Sequence, residues 1–178
     1  MKRKLTSNIV IYGIPGSGKT TLAKLIKRSS PKLNVIEGDR VKAMLLKKYP
    51  DYQNMATARA FRKYGRFSKE NVIKGLKLVR NAYSSAALDF AQKRKPAILE
   101  AAFIDPTRIP KGFKPFLLIV KSDADYKKQF FKNRSSNSLT NQEYKAALII
   151  QKYLIREALL NKVTILDSRK LSSFLENF

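Results

Sequence analysis

Five short apolar segments alternate along the chain with longer segments of helical periodicity. Each apolar segment is bounded by turn residues, as the buried strands of a parallel sheet are. The predicted strands are residues 9–12, 35–37, 97–100, 116–120 and 163–166. The predicted helices lie near residues 19–29, 40–48, 68–94, 124–134 and 141–160. This alternation predicts an α/β fold, a parallel sheet with helices on both faces that binds ligands beyond the carboxyl ends of its strands.

The first predicted strand leads through a glycine-rich turn into a helix, in the stretch IVIYGIPGSGKTTLAKLI at residues 9–26. The turn fits the pattern G-x-x-x-x-G-K-[ST], in which backbone N–H groups and a helix N-terminus surround a phosphate. We predict that Lys19 contacts the β- and γ-phosphates of ATP and that the Thr20 hydroxyl ligates Mg²⁺. The predicted nucleotide-binding residues are Gly13, Pro15, Gly16, Ser17, Gly18, Lys19, Thr20 and Thr21.

Composition limits the chemistry that the chain can perform. At 178 residues the sequence is long enough for one domain, residues 1–178, with a sizeable core. There is no cysteine, which excludes disulfides and thiolate metal sites, and no histidine, so a general base must be a carboxylate, lysine or tyrosine. No apolar run is long enough for a signal peptide or a membrane span, and we therefore expect a cytoplasmic protein without a membrane partner.

The chain is strongly basic, with 37 Lys and Arg against 13 Asp and Glu and a formal net charge of +24. Such a charge favours anionic ligands, whether phosphates, acidic metabolites or nucleic acid. A lysine-rich proteome, or adaptation to heat or salt, would produce the same composition. The irregular region 50–67 contains the segment RAFRKYGRF, where Arg59 and Arg62 alternate with Phe61, Tyr64 and Phe67.

The second predicted strand ends in VIEGDR, so that Asp39 and Arg40 follow it directly. An aspartate at this place can orient or deprotonate an acceptor hydroxyl, and an arginine can hold an anionic acceptor through a bidentate contact. The alternative is that Asp39 only caps a helix that begins at Arg40. Glu37 stands two residues earlier, on the same side of the strand, and is a weaker candidate.

Further charged residues follow the third and fourth predicted strands. Glu100 ends an otherwise apolar strand, where it can hold Mg²⁺ through water or position the acceptor, or be an ordinary carboxylate at a strand end. Arg134 comes at the end of a basic helix and before a serine-rich loop. On a mobile arm it would close over the phosphates and neutralise charge in the transition state. The alternative for this helix, with Lys127 and Lys128, is a solvated basic face.

These motifs together resemble a known family. A short chain with GIPGSGKT, a strand that ends in GDR, a third strand that ends in an acid and a late helix KKQFFKNR resembles the P-loop kinases of the nucleoside monophosphate kinase type. The resemblance covers most of the chain and is most specific over residues 13–20. It implies a three-layer fold, a five-stranded parallel sheet in the order 2-3-1-4-5 and a lid at residues 126–140.

Two branches of this family are the most similar. The segments EGDRVKAMLLKKYP, ILEAAFIDPTRIP and FLLIVKSDADYKKQFFKNR resemble archaeal 2-phosphoglycerate kinases, although this chain is shorter and lacks the histidine expected just after Glu100. Polynucleotide kinases and zeta-toxin-like kinases likewise place an aspartate and an arginine after the second strand. That resemblance implies that Asp39 is the base and that Arg40 binds the acceptor.

Three functions follow as expectations. The first is an ATP-dependent kinase of a small anionic hydroxyl compound, including compounds like 2-phosphoglycerate, with Lys19, Asp39 and Arg134 as catalytic residues. Its predicted acceptor-binding residues are Arg40, Arg59, Arg62 and Glu100. The second is a kinase of RNA or DNA 5′-hydroxyl ends, in which the basic surface follows the phosphate backbone and an aromatic side chain stacks on a base. The third is an ATP-binding switch in a nucleic-acid-associated protein, although a switch needs no acceptor base.

Overall fold

The computed structural model describes residues 8–49, 55–132 and 134–176. Residues 50–54 of the predicted irregular region and residue 133 of the predicted lid therefore lie outside the described residues. Five strands form one sheet: β1 (Asn8–Tyr12), β2 (Asn34–Glu37), β3 (Ala97–Ala101), β4 (Phe113–Ile119) and β5 (Thr164–Asp167). All neighbouring strands pair in parallel, in the order β2-β3-β1-β4-β5, which confirms the predicted order.

The helices connect the strands in the alternating pattern that the sequence predicts. They are α1 (Lys19–Ser29), α2 (Gly38–Lys48), α3 (Lys69–Gln92), α4 (Asp123–Phe131), α5 (Ser138–Leu160) and α6 (Leu171–Glu176). Three 3₁₀ helices, at Ala60–Tyr64, Pro106–Arg108 and Ser168–Lys170, and the short helix α6 were not predicted. None of the described helices is long and apolar enough to cross a membrane.

Strand β4 begins three residues before the predicted start at residue 116, because Lys114 and Pro115 interrupt the apolar pattern. A proline cannot donate to a sheet ladder and is rare between two paired strands. Here the first three residues of β4 pair with β1, and the recorded pairing with β5 begins at Phe116. Pro115 is therefore tolerated at a position where β4 has a partner strand on one side.

The sheet has a hydrophobic core on each face. Along β1, Val10 and Tyr12 belong to the larger core, which α3, α4 and α5 cover, whereas Ile9 and Ile11 belong to the smaller core beneath α1 and α6. Because successive side chains of a strand point to opposite faces, a sheet covered on both sides has continuously apolar strands. This arrangement explains the uninterrupted apolar segments of the sequence.

Helix α2 leaves the end of β2 in close contact with β3. A Cβ atom at Gly38 would lie 2.3 Å from the Cβ of Ala101 and 3.0 Å from the carbonyl oxygen of Glu100. Only a glycine fits at this position, and it fixes where the first turn of α2 lies. Glu37 and Glu100 are paired in the β2–β3 register, so that the carboxyl ends of both strands meet at the same edge of the sheet.

Candidate active site

The glycine-rich turn after β1 leads directly into the N-terminus of α1. Gly16 and Gly18 have positive φ angles of 78° and 92°, which L-residues with side chains rarely adopt, and α1 begins directly afterwards at Lys19. The hydroxyl of Ser17 is buried and finds no hydrogen-bond partner among the described residues. An unsatisfied buried hydroxyl beside a helix N-terminus fits the phosphates of a nucleotide.

Helix α4 contacts this turn through a hydrogen bond. The hydroxyl of Tyr126 donates a hydrogen bond of 2.9 Å to the carbonyl oxygen of Pro15, and the side chain is buried. Burial raises the pKa of Tyr126 far above its ordinary value, so the hydroxyl stays protonated and remains a donor. The turn is therefore held to the helix that precedes Arg134.

Lys19 and Glu100 lie buried together at the centre of the site. The Nζ of Lys19 donates to the carbonyl oxygen of Ile14 at 2.8 Å, and the side chain is only 7% exposed. Burial lowers the pKa of Lys19, and the negative charges of Glu100 and Asp39 partly offset the effect. Burial raises the pKa of Glu100, whereas the charge of Lys19 and the hydrogen bond from Thr20 lower it.

The Thr20 hydroxyl donates a hydrogen bond of 3.1 Å to Oε1 of Glu100. Hydroxyl and carboxylate oxygens are the ligands that Mg²⁺ prefers, together with phosphate oxygens and water. The described part of the chain has no group of three or more Asp, Glu, His or Cys side chains that could hold a metal by itself. The pair of Thr20 and Glu100 fits a Mg²⁺ ion that a bound nucleotide and water would also ligate.

A cavity of about 310 Å³ opens beside the glycine-rich turn. Seven of the predicted site residues line it: Pro15, Gly16, Lys19, Thr20, Asp39, Glu100 and Arg134. The other lining residues are Lys42, Met55, Ala56, Thr57, Ala101, Ala102 and Phe103. The structure thus brings the predicted phosphate-binding, metal-binding and base residues to a single cavity.

Asp39 lies in the first turn of α2 and lines this cavity. The helix begins at Gly38 rather than at residue 40, and Glu37 occupies the capping position without a side-chain cap. The alternative that Asp39 caps a helix starting at Arg40 is therefore wrong. The side chain of Asp39 is instead available to a ligand in the cavity.

Three predicted acceptor-binding arginines are not among the residues that line the cavity. The Arg40 side chain is 82% exposed and pairs with Glu37 at 3.0 Å. Arg59 and Arg62 both bind the carboxylate of Glu143 on α5, at 2.9 Å and 2.8 Å. The helical periodicity of α2 places Arg40 one residue beyond Asp39 and hence on another face of the helix.

Thr21 is exposed in the first turn of α1, outside the residues that line the cavity. Arg134 follows α4, since this helix ends at Phe131 and not at the predicted residue 134. Its guanidinium donates to the Phe130 carbonyl oxygen at 2.6 Å and lies 4.3 Å from the centroid of the Phe130 ring. Arg134 thereby approaches the cavity from the α4–α5 connection.

Lys42 and Thr57 were missed by the sequence interpretation. Lys42 lies three residues after Asp39 on α2, and this spacing places both on the same helix face, so the signal was present. Thr57 belongs to the segment between α2 and α3, for which no periodicity or motif predicts a position. Both side chains are buried at the cavity, 9% exposed for Lys42 and 4% for Thr57.

Comparison with solved structures shows the fold. A shikimate kinase from Bacteroides thetaiotaomicron matches with a TM-score of 0.55 and 14% identity over 96% of this chain and 94% of its own. A shikimate kinase from Acinetobacter baumannii in complex with shikimate matches with a TM-score of 0.52 and 17% identity over 97% and 92%. A deoxyadenosine kinase from M. mycoides with bound dATP matches with a TM-score of 0.52 and 15% identity over 96% and 97%.

The chain therefore has a P-loop kinase-like α/β fold. These likenesses extend over nearly the whole of each chain, and they agree with the strand order β2-β3-β1-β4-β5. No protein-family model and no curated protein matches the sequence. What this protein binds must therefore be inferred from its own cavity.

Proposed function

We propose that the protein is an ATP-dependent kinase that transfers the γ-phosphate to a hydroxyl of a small anionic acceptor, such as a compound like 2-phosphoglycerate. The observation that carries this proposal is that Lys19 and Thr20 share one cavity with the carboxylate of Asp39. Phosphoryl transfer needs a phosphate-binding site that faces a group able to orient and deprotonate a hydroxyl. A nucleotide switch has no use for that carboxylate.

Each residue then has a defined part. The glycine-rich turn and Lys19 hold the phosphates of ATP, and Thr20 and Glu100 provide oxygen ligands for Mg²⁺, which when bound offsets phosphate charge. Asp39 accepts the proton of the acceptor hydroxyl as its oxygen forms the new bond to the γ-phosphorus. The bond between the γ-phosphorus and the bridging oxygen breaks, and ADP leaves with that electron pair. Arg134 stabilises the negative charge during transfer.

The similar structures support a small acceptor. Two of them are named as shikimate kinases and one as a deoxyadenosine kinase. A cavity of about 310 Å³ is also compatible with a small molecule beside the terminal phosphate. We therefore favour a small acceptor over a polymer.

A kinase of nucleic-acid ends is the second candidate, because the net charge is +24. The RAFRKYGRF segment supports it less than its sequence suggests. Phe61 is buried, so its ring is not available to stack on a base, and Phe67 is partly buried and packs edge-on against it with ring centroids 5.3 Å apart. Tyr64 is the member of this trio that remains exposed, and Arg59 and Arg62 are bound to Glu143.

The substitution Asp39→Asn tests the proposal. We expect kcat for acceptor phosphorylation to fall by roughly 10²–10⁴-fold, because the proton-accepting group is lost, while the affinity for ATP changes little. Steady-state rates with the acceptor and titration of ATP binding measure the two effects separately. Equal loss of both, or loss of the folded state, would mean that Asp39 has a structural role.

A further inference from the structure

Lys42 is a buried cation that has no part in the proposed binding of the nucleotide. Its Nζ donates one hydrogen bond of 2.9 Å, to the carbonyl oxygen of Met55, and lies 5.7 Å from the centroid of the Tyr83 ring. Within the described ranges, no carboxylate lies within 4.0 Å of it. An ammonium has three donors, so Lys42 keeps donors for a ligand.

The surroundings of Lys42 disfavour a cation. Burial lowers its pKa, Asp39 partly offsets this effect, and Arg59 adds to it. A buried lysine without an ion pair is costly, and an anion in the cavity would offset that cost. Such positions are more frequent at binding sites than in structural cores.

Thr57 provides a second, independent observation. Its hydroxyl is buried and, as far as the described residues extend, finds no hydrogen-bond partner. Thr57 and Lys42 line the same cavity as Asp39. A ligand that enters the cavity can therefore meet a cation and an unsatisfied polar side chain next to the carboxylate.

Resting on the proposed kinase function, we infer that Lys42, with Thr57, binds an anionic group of the acceptor and restricts the enzyme to hydroxyl compounds that carry a carboxylate or a phosphate. Asp39 and Lys42 lie one helical turn apart on α2. The acceptor accordingly has its hydroxyl close to its anionic group. In this account Lys42 determines acceptor specificity in place of Arg40, Arg59 and Arg62, which lie outside the cavity lining.

The test uses four three-carbon probes that differ in charge: glycerol, glycerate, glycerol 3-phosphate and 2-phosphoglycerate. Their binding to the full-length protein with ADP and Mg²⁺ is measured by calorimetry, and their phosphorylation by ATP is measured in parallel. We expect at least one anionic probe to bind and glycerol not to bind. Glycerate against glycerol 3-phosphate shows whether a carboxylate or a phosphate is recognised.

The variants are Lys42→Met, Thr57→Val and, as a control, Lys47→Met on the exposed side of the same helix. We expect Lys42→Met to weaken binding of the anionic probe roughly 10–100-fold and Thr57→Val to weaken it several-fold, with the KM for ATP unchanged. Lys47→Met should behave like the parent protein. Lys42→Arg, which keeps the charge, should restore part of the affinity.

The outcomes separate this inference from the proposed function. If the protein phosphorylates glycerol, or another neutral compound, as well as the anionic probes, the inference is wrong and the proposed kinase function is unaffected. The inference is also wrong if Lys42→Met lowers the affinity for charged and neutral probes alike. If no anionic probe binds, the inference is also wrong. If no compound or oligonucleotide accepts phosphate although ATP binds, the proposed function itself fails.

Discussion

Glu100 and Lys19 are two buried charges whose burial disfavours their ionised forms. Burial raises the pKa of the Glu100 carboxyl and lowers the pKa of the Lys19 ammonium. A group with a perturbed pKa stores free energy that ligand binding can release, and such groups commonly trade stability for function. We interpret both as residues kept for the nucleotide and Mg²⁺ rather than for the unliganded fold.

Glu100→Gln should therefore raise the stability of the unliganded protein and abolish transfer. The folded protein binds the Glu100 proton more tightly than the unfolded chain does. Protonation therefore stabilises the fold below about pH 4.5, and that contribution is lost as the pH rises through the raised pKa. In thermal unfolding, the Tm of Glu100→Gln should exceed that of the parent protein above about pH 4.5. The difference should be about 2–4 °C for each kcal/mol of added stability. A variant less stable than the parent at pH 7 would contradict this account.

Lys19→Ala should reduce phosphoryl transfer roughly 10²-fold or more and leave the fold intact, because in the proposed mechanism Lys19 holds the phosphates of ATP. The rate is measured at saturating ATP, and circular dichroism monitors the fold. The matched control is Lys24→Ala, at an exposed position of the same helix. Normal transfer by the Lys19 variant would refute the assignment of the phosphate-binding turn.

The positions of the predicted site residues follow from the sequence where a local motif fixes the geometry. The turn at residues 13–20 follows from glycine spacing, and Asp39 and Glu100 follow from the rule that parallel strands end at one edge. Arg40 and Thr57 show where prediction from local sequence patterns fails. The direction of the Arg40 side chain depends on the helix beginning at Gly38, and the position of Thr57 depends on tertiary packing that no local pattern encodes.

At the scale of elements, the packing of α2 against β3 sets the position of Asp39 and Lys42. The segment from Met55 to Tyr64 is attached to this unit by the bond from Lys42 to Met55. The same segment is attached to α5 by the ion pairs of Arg59 and Arg62 with Glu143. Helix α5 follows the connection that carries Arg134. Arg59 and Arg62, which were expected to bind the acceptor, instead join this segment to α5.

Gly38→Ala should destabilise the protein by about 1–3 kcal/mol and lower kcat, because the added Cβ would overlap Ala101 and displace the first turn of α2. Thermal unfolding and steady-state kinetics measure the two effects. Ala43→Ser adds one atom at an exposed position of the same helix and serves as the control. A Gly38 variant with unchanged Tm and kcat would show that β3 does not position this turn.

The elements themselves were predicted well because each strand contains a short apolar run bounded by turn residues. The boundaries were predicted less well. Pro115 concealed the start of β4. Helix α6 was missed because its three apolar residues, Leu171, Phe174 and Leu175, are too few to establish a period in a six-residue helix. Tertiary contacts decide both cases, since β1 pairs with the start of β4 and the smaller core accepts the side chains of α6.

At the scale of the whole molecule, the net charge of +24 raises the local concentration of any anion. For a small acceptor this effect is a modest gain in association. For a nucleic acid it would dominate the affinity, because each neutralised phosphate releases counterions. The salt dependence of the reaction therefore distinguishes the two classes of acceptor.

We expect kcat/KM for a small anionic acceptor to fall less than about 10-fold between 50 and 200 mM salt, as the charges at the cavity are few and partly buried. A nucleic-acid acceptor held by 6–10 phosphate contacts would lose roughly 10³–10⁵-fold over the same range. The comparison is made at constant ATP and Mg²⁺, with KCl as the added salt. A loss of the larger size would favour the second candidate function.

The most direct test of the central claim is the transfer of labelled γ-phosphate from ATP to a panel of acceptors. The panel contains 2-phosphoglycerate and related hydroxy acids, nucleosides and nucleoside monophosphates, and RNA and DNA oligonucleotides with free 5′-hydroxyls. The account predicts label on a small anionic hydroxyl compound, and loss of that label in Lys19→Ala and Asp39→Asn. Label on the oligonucleotides alone, or on no acceptor while ATP still binds, would contradict it.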